Sequence, residues 1–316
     1  MLVMTGDGDR SHLLEIEEGL FHIPLNLEKR GFRNFISSWV FRSDSLTILV
    51  DPGPKATIPR IAESLSRIAL PHLDYILLTH IHIDHAGGAG LLSDLYPEAK
   101  IVCHPKARSH LVDPSRLWEA SRKVLGSLAE AYGEIIPVKE DRIISHPVIE
   151  KGGQTIACIE TPGHAVHHVS YVVNQILFAG EVAGVYLDLG NARWYMRPAT
   201  PPVFRLDIWM DSLDEVCKHN PEWICVGHFG MNKSAEDILG IARDQLQRWT
   251  QTLQGLLDES EHEIAERAFD VLVDRDPQFG YFRVLDEDIQ ERERYFFRNT
   301  IQGMLGYIKE RRGAAG

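Results

Sequence analysis

Residues 79–88 read Thr-His-Ile-His-Ile-Asp-His-Ala-Gly-Gly and carry metal-binding side chains at a short, regular spacing. The donors are the imidazoles of His80, His82 and His85 and the carboxylate of Asp84. Imidazole together with carboxylate suits zinc, and also iron or manganese, and leaves coordination positions open for water. The alternative is a loop of solvated histidines. We interpret the stretch as part of a metal site that activates water.

A buried strand is needed to position this motif. The apolar run 75–78 follows Pro71 and Asp74 and has high β-propensity, so the motif is predicted to begin where a strand ends. The Gly87-Gly88 pair then ends the loop and opens the next helix. A strand end is a rigid platform from which several donors can converge on one point.

Three later loops repeat the order of apolar strand, glycine and metal-type donor. His164 follows Thr-Pro-Gly, Glu181 follows Phe-Ala-Gly, and His228 follows Cys-Val-Gly. Each of these three signals alone is weak evidence for a metal ligand, since a histidine after a single glycine usually lies in a turn. Together with the first motif they make seven donors, which suit two metals that share one ligand.

Composition limits the classes of function. The chain has 316 residues, is 44% hydrophobic, and has a net charge of 33 − 45 = −12. We therefore expect one large core with at most a small appended unit, a small-molecule substrate, and neither a nucleic-acid nor a membrane partner. No apolar run approaches ~18 residues, and residues 1–10 do not resemble a signal peptide, so the protein is predicted to be cytoplasmic. The cysteines are predicted to be reduced core thiols; they are Cys103, Cys158, Cys217 and Cys225.

The hydrophobic periodicity predicts two similar halves, each a mixed sheet with helices on its outer face. Strands are predicted within residues 14–52, at 74–78 and 100–103, and in a second set between 143 and 179. Helices are predicted at 58–68, after Gly88, and as one unbroken helix at 116–132. From residue 234 the pattern becomes helical and charged, which indicates a cap or a homodimerisation element. We place the domain boundary between residues 1–231 and 232–316.

The chain resembles the metallo-β-lactamase-fold hydrolases, and in particular the glyoxalase II-like branch, over residues ~14–230. The resemblance rests on the motif at 79–88, on Asp51-Pro52-Gly53, on Thr-Pro-Gly-His at 161–164 with His168, and on Gly-Glu and Gly-His at 180–181 and 227–228. It implies an α/β (α+β) fold, an αββα sandwich of two mixed β-sheets flanked by helices. The helical C-terminal extension follows this sandwich.

The resemblance also implies a ligand set for two divalent metal ions, with zinc expected first and iron or manganese as alternatives. The first metal is held by His80, His82 and His164, and the second by Asp84, His85 and His228. Glu181 stands where the family usually has a bridging aspartate, which leaves open whether one or two metals bind. Asp84 is also the expected catalytic residue. Asp51 and His168 are expected to support the ligands from outside the metal shell.

The implied chemistry is hydrolysis of an ester-type bond in a small metabolite, such as a thioester or lactone, by a metal-bound hydroxide. Substrate contacts are predicted in residues 185–209, a Pro- and aromatic-rich segment beside the metals; the candidates are Tyr186, Arg193, Tyr195 and Arg197. The alternative is a segment that only packs on the C-terminal helices. Residues 26–35 are a candidate for the opposite rim.

Other functions of the same fold stay open. A flavodiiron-like redox protein has a glutamate inside the first motif, where this chain has His82, and a flavin-binding domain, for which the C-terminal third has no phosphate-binding glycine loop. A nucleic-acid-processing member needs a basic groove, which the charge of −12 disfavours. A metal-stabilised binding module without catalysis is a further alternative.

Overall fold

The computed structural model describes residues 13–201, 203–257 and 260–314. Residues 1–10, which are predicted not to form a signal peptide, lie outside the described residues. The strands are β1 (Leu14–Glu17), β2 (Leu20–Leu25), β3 (Ile36–Arg42), β4 (Thr47–Val50), β5 (Tyr75–Leu77), β6 (Lys100–Val102), β7 (Ile143–Ile144), β8 (Val148–Lys151), β9 (Gln154–Glu160), β10 (Val169–Val173), β11 (Ile176–Gly180), β12 (Val185–Gly190), β13 (Arg193–Arg197), β14 (Trp223–Val226) and β15 (Met231–Asn232). The helices are α1 (Ile58–Arg67), α2 (Ile83–Ala86), α3 (Ala89–Leu95), α4 (Arg108–Val112), α5 (Ser115–Leu125), α6 (Ser127–Tyr132), α7 (Leu206–Cys217), α8 (Ala235–Gln254), α9 (Glu261–Arg275) and α10 (Glu287–Ala314).

Two mixed sheets form the centre of the fold. The first has the order β1-β2-β3-β4-β5-β6-β7, antiparallel through β4 and parallel from β4 to β7. The second has the order β15-β14-β11-β10-β9-β8, in which only β11 and β14 run parallel. β12 and β13 form a separate hairpin.

The alternation of side chains along each strand places the sheets face to face. In β4, Ile48 and Val50 belong to a hydrophobic cluster shared with the second sheet, whereas Leu49 belongs to the cluster under α1 and α3. In β11, Phe178 points into the shared cluster and Leu177 into the one on the far side. Helices cover both outer faces. The predicted αββα sandwich is therefore confirmed.

The C-terminal helices α8, α9 and α10 pack on the outer face of the second sheet. Trp249 and Leu253 of α8 are fully buried in one cluster with Leu177 and Ile224 of the sheet. The helical character predicted for this region is confirmed. The division at residue 231 stays a prediction, and the two parts share one hydrophobic cluster. No helix in the described ranges is long and apolar enough to cross a lipid bilayer.

Two local predictions are wrong. The helix expected at 116–132 is divided into α5 and α6 by Gly126, which has φ of +54°, a left-handed conformation that interrupts the helical backbone. Cys217, expected in the core, is exposed because it ends α7 at the surface. All four cysteines are free; Cys103 and Cys225 are buried and Cys158 is half-buried.

Candidate metal centre

The seven predicted donors come from strand ends and from the single turn α2. His80 and His82 lie directly after β5, and Asp84 and His85 lie in α2. Glu181 directly follows β11, and His228 lies just beyond β14. Because β11 and β14 pair in parallel, their carboxyl ends meet at one edge of the second sheet. His164, in the loop between β9 and β10, completes the set.

The donors form two groups. One contains His80, His82, His164 and Glu181, and the other contains Asp84, His85 and His228; within each group the ligand atoms lie within 4.8 Å of one another. In the first group, Nε2 of His164 lies 2.9 Å from Nδ1 of His82. In the second, Oδ2 of Asp84 lies 3.9 Å from Nε2 of both His85 and His228. The structure therefore brings all seven residues to one place.

The carboxylate of Glu181 lies between the two groups. Its Oε2 is 2.9 Å from Nε2 of His164, 3.4 Å from that of His80 and 3.5 Å from that of His85. Its Oε1 is 3.3 Å from Nε2 of His228. The longer side chain thus reaches donors of both groups, and one carboxylate contacts four imidazoles.

The unpaired nitrogens at this point fit a cation. Nε2 of His80 and Nε2 of His85 are buried and have no hydrogen-bond partner among the described residues, which is costly unless an ion binds them. On the opposite side of the His85 ring, Nδ1 donates to Oδ2 of Asp51 at 3.0 Å. Nδ1 of His164 likewise donates to the Ala199 carbonyl at 2.6 Å. These hydrogen bonds hold each ring in the tautomer that presents Nε2 as a ligand.

Asp51 holds the motif loop as well as His85. It adopts φ of +51° at the end of β4, and its carboxylate accepts hydrogen bonds from the Thr79 backbone at 2.8 Å and the Thr79 hydroxyl at 2.6 Å. Oγ1 of Thr79 in turn contacts Nδ1 of His80 at 3.0 Å. One buried carboxylate therefore orients donors of both groups, the outer-shell role expected from the sequence.

His168 supports Glu181 and is not itself among the donors. Its Nε2 accepts the Glu181 backbone N–H at 3.1 Å, and its Nδ1 lies 2.7 Å from the Thr161 hydroxyl. Gly180, at φ of +54°, allows this contact, because a Cβ there would lie 2.5 Å from Nε2 of His168. Any side chain at position 180 would collide with His168 and Thr79, the two residues that orient Glu181 and His80.

The electrostatics place His80, His82 and Glu181 in metal-binding protonation states. Burial and the neighbouring imidazoles hold the pKa of His80 and that of His82 well below 6.5, so both rings are neutral at pH 7. Burial alone would raise the pKa of Glu181, but His164 and His228 outweigh it and hold that pKa well below 4.5. A neutral imidazole and an ionised carboxylate are the forms that coordinate a cation. Burial alone would lower the pKa of His85 and that of His164, but the neighbouring carboxylates outweigh it and raise both above 6.5, so these two rings lose a proton when a cation binds.

The centre opens into a cavity of about 610 Å³, the size of a small-molecule site. Five of the donors line it: His82, Asp84, His164, Glu181 and His228. Asp84 is the least buried of the carboxylates, its side chain being 20% exposed, and therefore borders the open space. α5 and α10 form walls of this cavity.

The sequence and the fold are both similar to those of known proteins. The family model described as the metallo-beta-lactamase superfamily matches residues 31–228. A metallo-beta-lactamase fold-containing protein of Sulfurisphaera tokodaii is 31% identical over 221 residues, which are 67% of this chain and 79% of that protein. The chain belongs to the metallo-beta-lactamase superfamily.

One further relative and one solved structure are also similar to this chain. A hydroxyacylglutathione hydrolase of Xanthomonas campestris pv. campestris is 28% identical over 189 residues, 59% of this chain and 57% of that enzyme. The crystal structure of the same archaeal protein as the 31% identical relative, described under the organism name Sulfolobus tokodaii, superimposes with a TM-score of 0.64 at 27% identity, covering 92% of this chain and 98% of that one. The second match extends beyond residues 31–228 and includes C-terminal helices.

The four residues predicted to contact substrate in this superfamily member lie in different places. Arg197 lines the cavity, but its guanidinium is paired with Glu293. Tyr186 and Tyr195 are buried in the cluster beneath the β12–β13 hairpin, and Arg193 is exposed at the start of β13. The structure does not bring these three to the cavity, because the hairpin packs one face on the core.

Both segments that were predicted to border the substrate site do line the cavity, but not through Tyr186, Arg193 or Tyr195. Val185, Ala199, Thr200 and Pro201 line the cavity from the segment 185–209, and Phe35 lines it from the segment 26–35. Arg33 of the second segment pairs instead with Asp286 and Asp288. Sequence reasoning missed the walls from α5 and α10, which include Leu117, Val124, Phe296 and Asn299, and also His110 and His167. The amphipathic pattern of α5 was visible, but it indicates a packed helix equally well.

Proposed function

We propose that this protein is a metal-dependent hydrolase that cleaves an ester-type bond, a thioester or lactone, in a small molecule. One observation carries the proposal: Glu181 contacts donors of both groups at the base of an open cavity. The hydroxyacylglutathione hydrolases among the relatives support the ester-type reaction. Water adds to the acyl carbon, the C–S or C–O bond breaks, and the thiol or alcohol leaves with a proton.

The donor set suits two divalent ions, and we propose zinc first, with iron or manganese as alternatives. Bound there, such ions supply an acidified water and polarise a carbonyl. The residues of the chain have separate tasks. Asp84 borders the cavity and is the proposed group that holds and orients a proton of the attacking water. Asp51 orients the motif loop and the His85 ring, and His168 holds the backbone of Glu181, the carboxylate that contacts donors of both groups.

The test compares substrates and metals on one preparation. Protein purified without added metal is analysed for metal, loaded with zinc, iron or manganese, and assayed with a thioester, a lactone, a phosphodiester and a β-lactam. We expect hydrolysis of the thioester or the lactone, and its loss on removal of metal. Hydrolysis of the phosphodiester or β-lactam alone, or none at all, would contradict the proposal.

A pair of histidine variants separates the site from the rest of the surface. His164→Ala removes a donor of the first group and should reduce kcat/KM on the order of a hundredfold, with loss of metal. His219→Ala removes an exposed imidazole after α7 and should keep both metal and activity. Equal activity of the two variants would remove His164 from the site.

A further inference from the structure

Helix α5 presents apolar side chains to the cavity and buries none of its eleven residues. Leu117, Ala120, Val124 and Leu125 all line the cavity, and Val124 is 67% exposed. An amphipathic helix normally covers its apolar stripe with other parts of the protein. In α5, Leu117 and Leu125 pack in part on the hydrophobic cluster of the first sheet, and together with Ala120 and Val124 they border the space above the candidate metal centre.

The apolar wall and the metal donors belong to the same cavity. Its lining runs from His82, Glu181 and His228 to Leu117 and Val124 of α5. Other apolar side chains lie in the same lining, from the motif loop and from α10; they are Ile81, Ile83 and Phe296. A substrate whose scissile carbonyl lies at the donors can therefore extend along α5.

The charges of the lining disfavour a polar substrate. Its arginines are Arg116 and Arg197, and Arg197 is already paired with Glu293. Its carboxylates are Asp84 and Glu181, both metal donors. A glutathione moiety has two carboxylates and an ammonium group, so most of its charges would be left without partners in this cavity.

We propose that α5 binds an apolar acyl chain, and that the enzyme prefers medium-chain acyl thioesters or esters to acetyl and glutathione substrates. This inference rests on the hydrolase function proposed above. Each methylene group buried against α5 should improve binding about threefold to fourfold. A chain that fills the wall should therefore be favoured over acetyl by at least about tenfold, even with incomplete burial.

The kinetic test uses the full-length, metal-loaded protein and a series of S-acyl-N-acetylcysteamine thioesters from acetyl to decanoyl, with S-lactoylglutathione for comparison. We expect kcat/KM to rise at least about tenfold from acetyl to octanoyl. Equal kcat/KM along the series, or a preference for S-lactoylglutathione, would overturn the inference and leave the hydrolase function standing.

Two neighbouring residues of α5 give a matched pair of variants. Val124→Glu places a charge on the cavity wall, whereas Lys123→Glu changes an exposed residue outside the lining. Val124→Glu should lower the octanoyl-to-acetyl ratio of kcat/KM about tenfold, and Lys123→Glu should leave it within about twofold. Since both positions are exposed, neither change should unfold the protein. Equal ratios in the two variants would contradict the inference.

A binding measurement separates this inference from the proposed function. Calorimetry with hexanoate, octanoate and decanoate should show affinity that rises with chain length in the parent protein and in Lys123→Glu, but not in Val124→Glu. That result supports the apolar wall even if no thioester is hydrolysed, in which case only the hydrolase proposal fails. If the affinity of the parent protein did not depend on chain length, the proposal that α5 binds an apolar chain would be contradicted. The proposal would also be contradicted if the parent protein were a dimer that Val124→Glu dissociates, because the α5 face would then be an interface between two copies of the chain.

Discussion

The ring of Phe35 stacks on the imidazole of His228, with centroids 4.2 Å apart and planes inclined by 18°. The Phe35 carbonyl also accepts a hydrogen bond from Nδ1 of His228 at 3.2 Å. The guanidinium of Arg292 lies over the Phe35 ring, 4.2 Å from its centroid. Phe35, which lies directly before β3, thus fixes both the tautomer and the tilt of the His228 ring and connects this donor to α10.

We expect Phe35→Leu to weaken metal binding at the group of Asp84, His85 and His228. Loss of the stacked ring lets His228 rotate away from the position in which it binds metal. We expect metal affinity to fall about 10- to 100-fold, as is typical for changes to residues that support metal ligands. Competition with a chelator would measure the metal affinities of the two donor groups separately. Phe32→Leu is the control, since Phe32 is equally buried but lies edge-on to Phe35 and not on His228. Equal metal affinity in the two variants would remove Phe35 from this role.

Glu181 is expected to be required for metal binding at the group of Asp84, His85 and His228 and for hydrolysis. Glu181→Ala removes the carboxylate between four imidazoles and should lose metal at the second group and most hydrolysis, on the order of a hundredfold. Glu181→Asp keeps the charge and should retain a metal site. Elemental analysis and thioester hydrolysis measure these outcomes, with Glu160→Ala, an exposed glutamate, as the control. Full metal content and full rate in Glu181→Ala would show that Glu181 is not a ligand.

A buried ion network between β13 and α10 should govern stability in acid. Glu293 accepts hydrogen bonds from Arg197, Tyr195 and Arg292, and all are buried. Burial alone would raise the pKa of Glu293, but Arg197 and Arg292 outweigh it and lower that pKa to about 2. Because the folded-state pKa lies below the unfolded value, this stabilisation is present above pH ~4.5 and is lost as the pH falls toward 2.

Glu293→Gln should lower the free energy of unfolding by about 3 kcal/mol at pH 7, because two guanidiniums stay buried without a counter-charge. The difference between parent and variant should shrink between pH ~4.5 and pH ~2. Urea unfolding at several pH values measures this. Glu291→Gln removes only an exposed partner of Arg30 and should cost less than ~1 kcal/mol. A constant difference across this pH range would contradict the assigned pKa.

Residues 1–231 expressed alone should aggregate or lose fixed tertiary structure. Removal of α8, α9 and α10 uncovers Leu177 and Ile224 of the second sheet and leaves Arg197 without Glu293. Size-exclusion chromatography and near-ultraviolet circular dichroism would test this. A soluble, active fragment would show that the C-terminal helices are an independent appendage.

The donors themselves were predictable from local sequence. Each follows an apolar run that forms a strand, and glycine or a short turn places the donor at the strand end; such signals extend over fewer than about ten residues. The αββα fold could be predicted from the same motifs through the resemblance. The position of Gly126 in the helix 116–132 was visible, but a single glycine inside a helical pattern is often tolerated.

Tertiary structure alone decided how the donors and the cavity are completed. Arg197 was a plausible partner for a substrate carboxylate, yet Glu293, 96 residues later, already occupies its guanidinium. Glu181 reaches both donor groups only because β11 and β14 lie side by side. α5 borders the cavity because its neighbours within the described chain cover its apolar stripe only in part. Local sequence determines which residues can bind a metal, whereas contacts between distant segments determine which side chains remain free to bind a substrate.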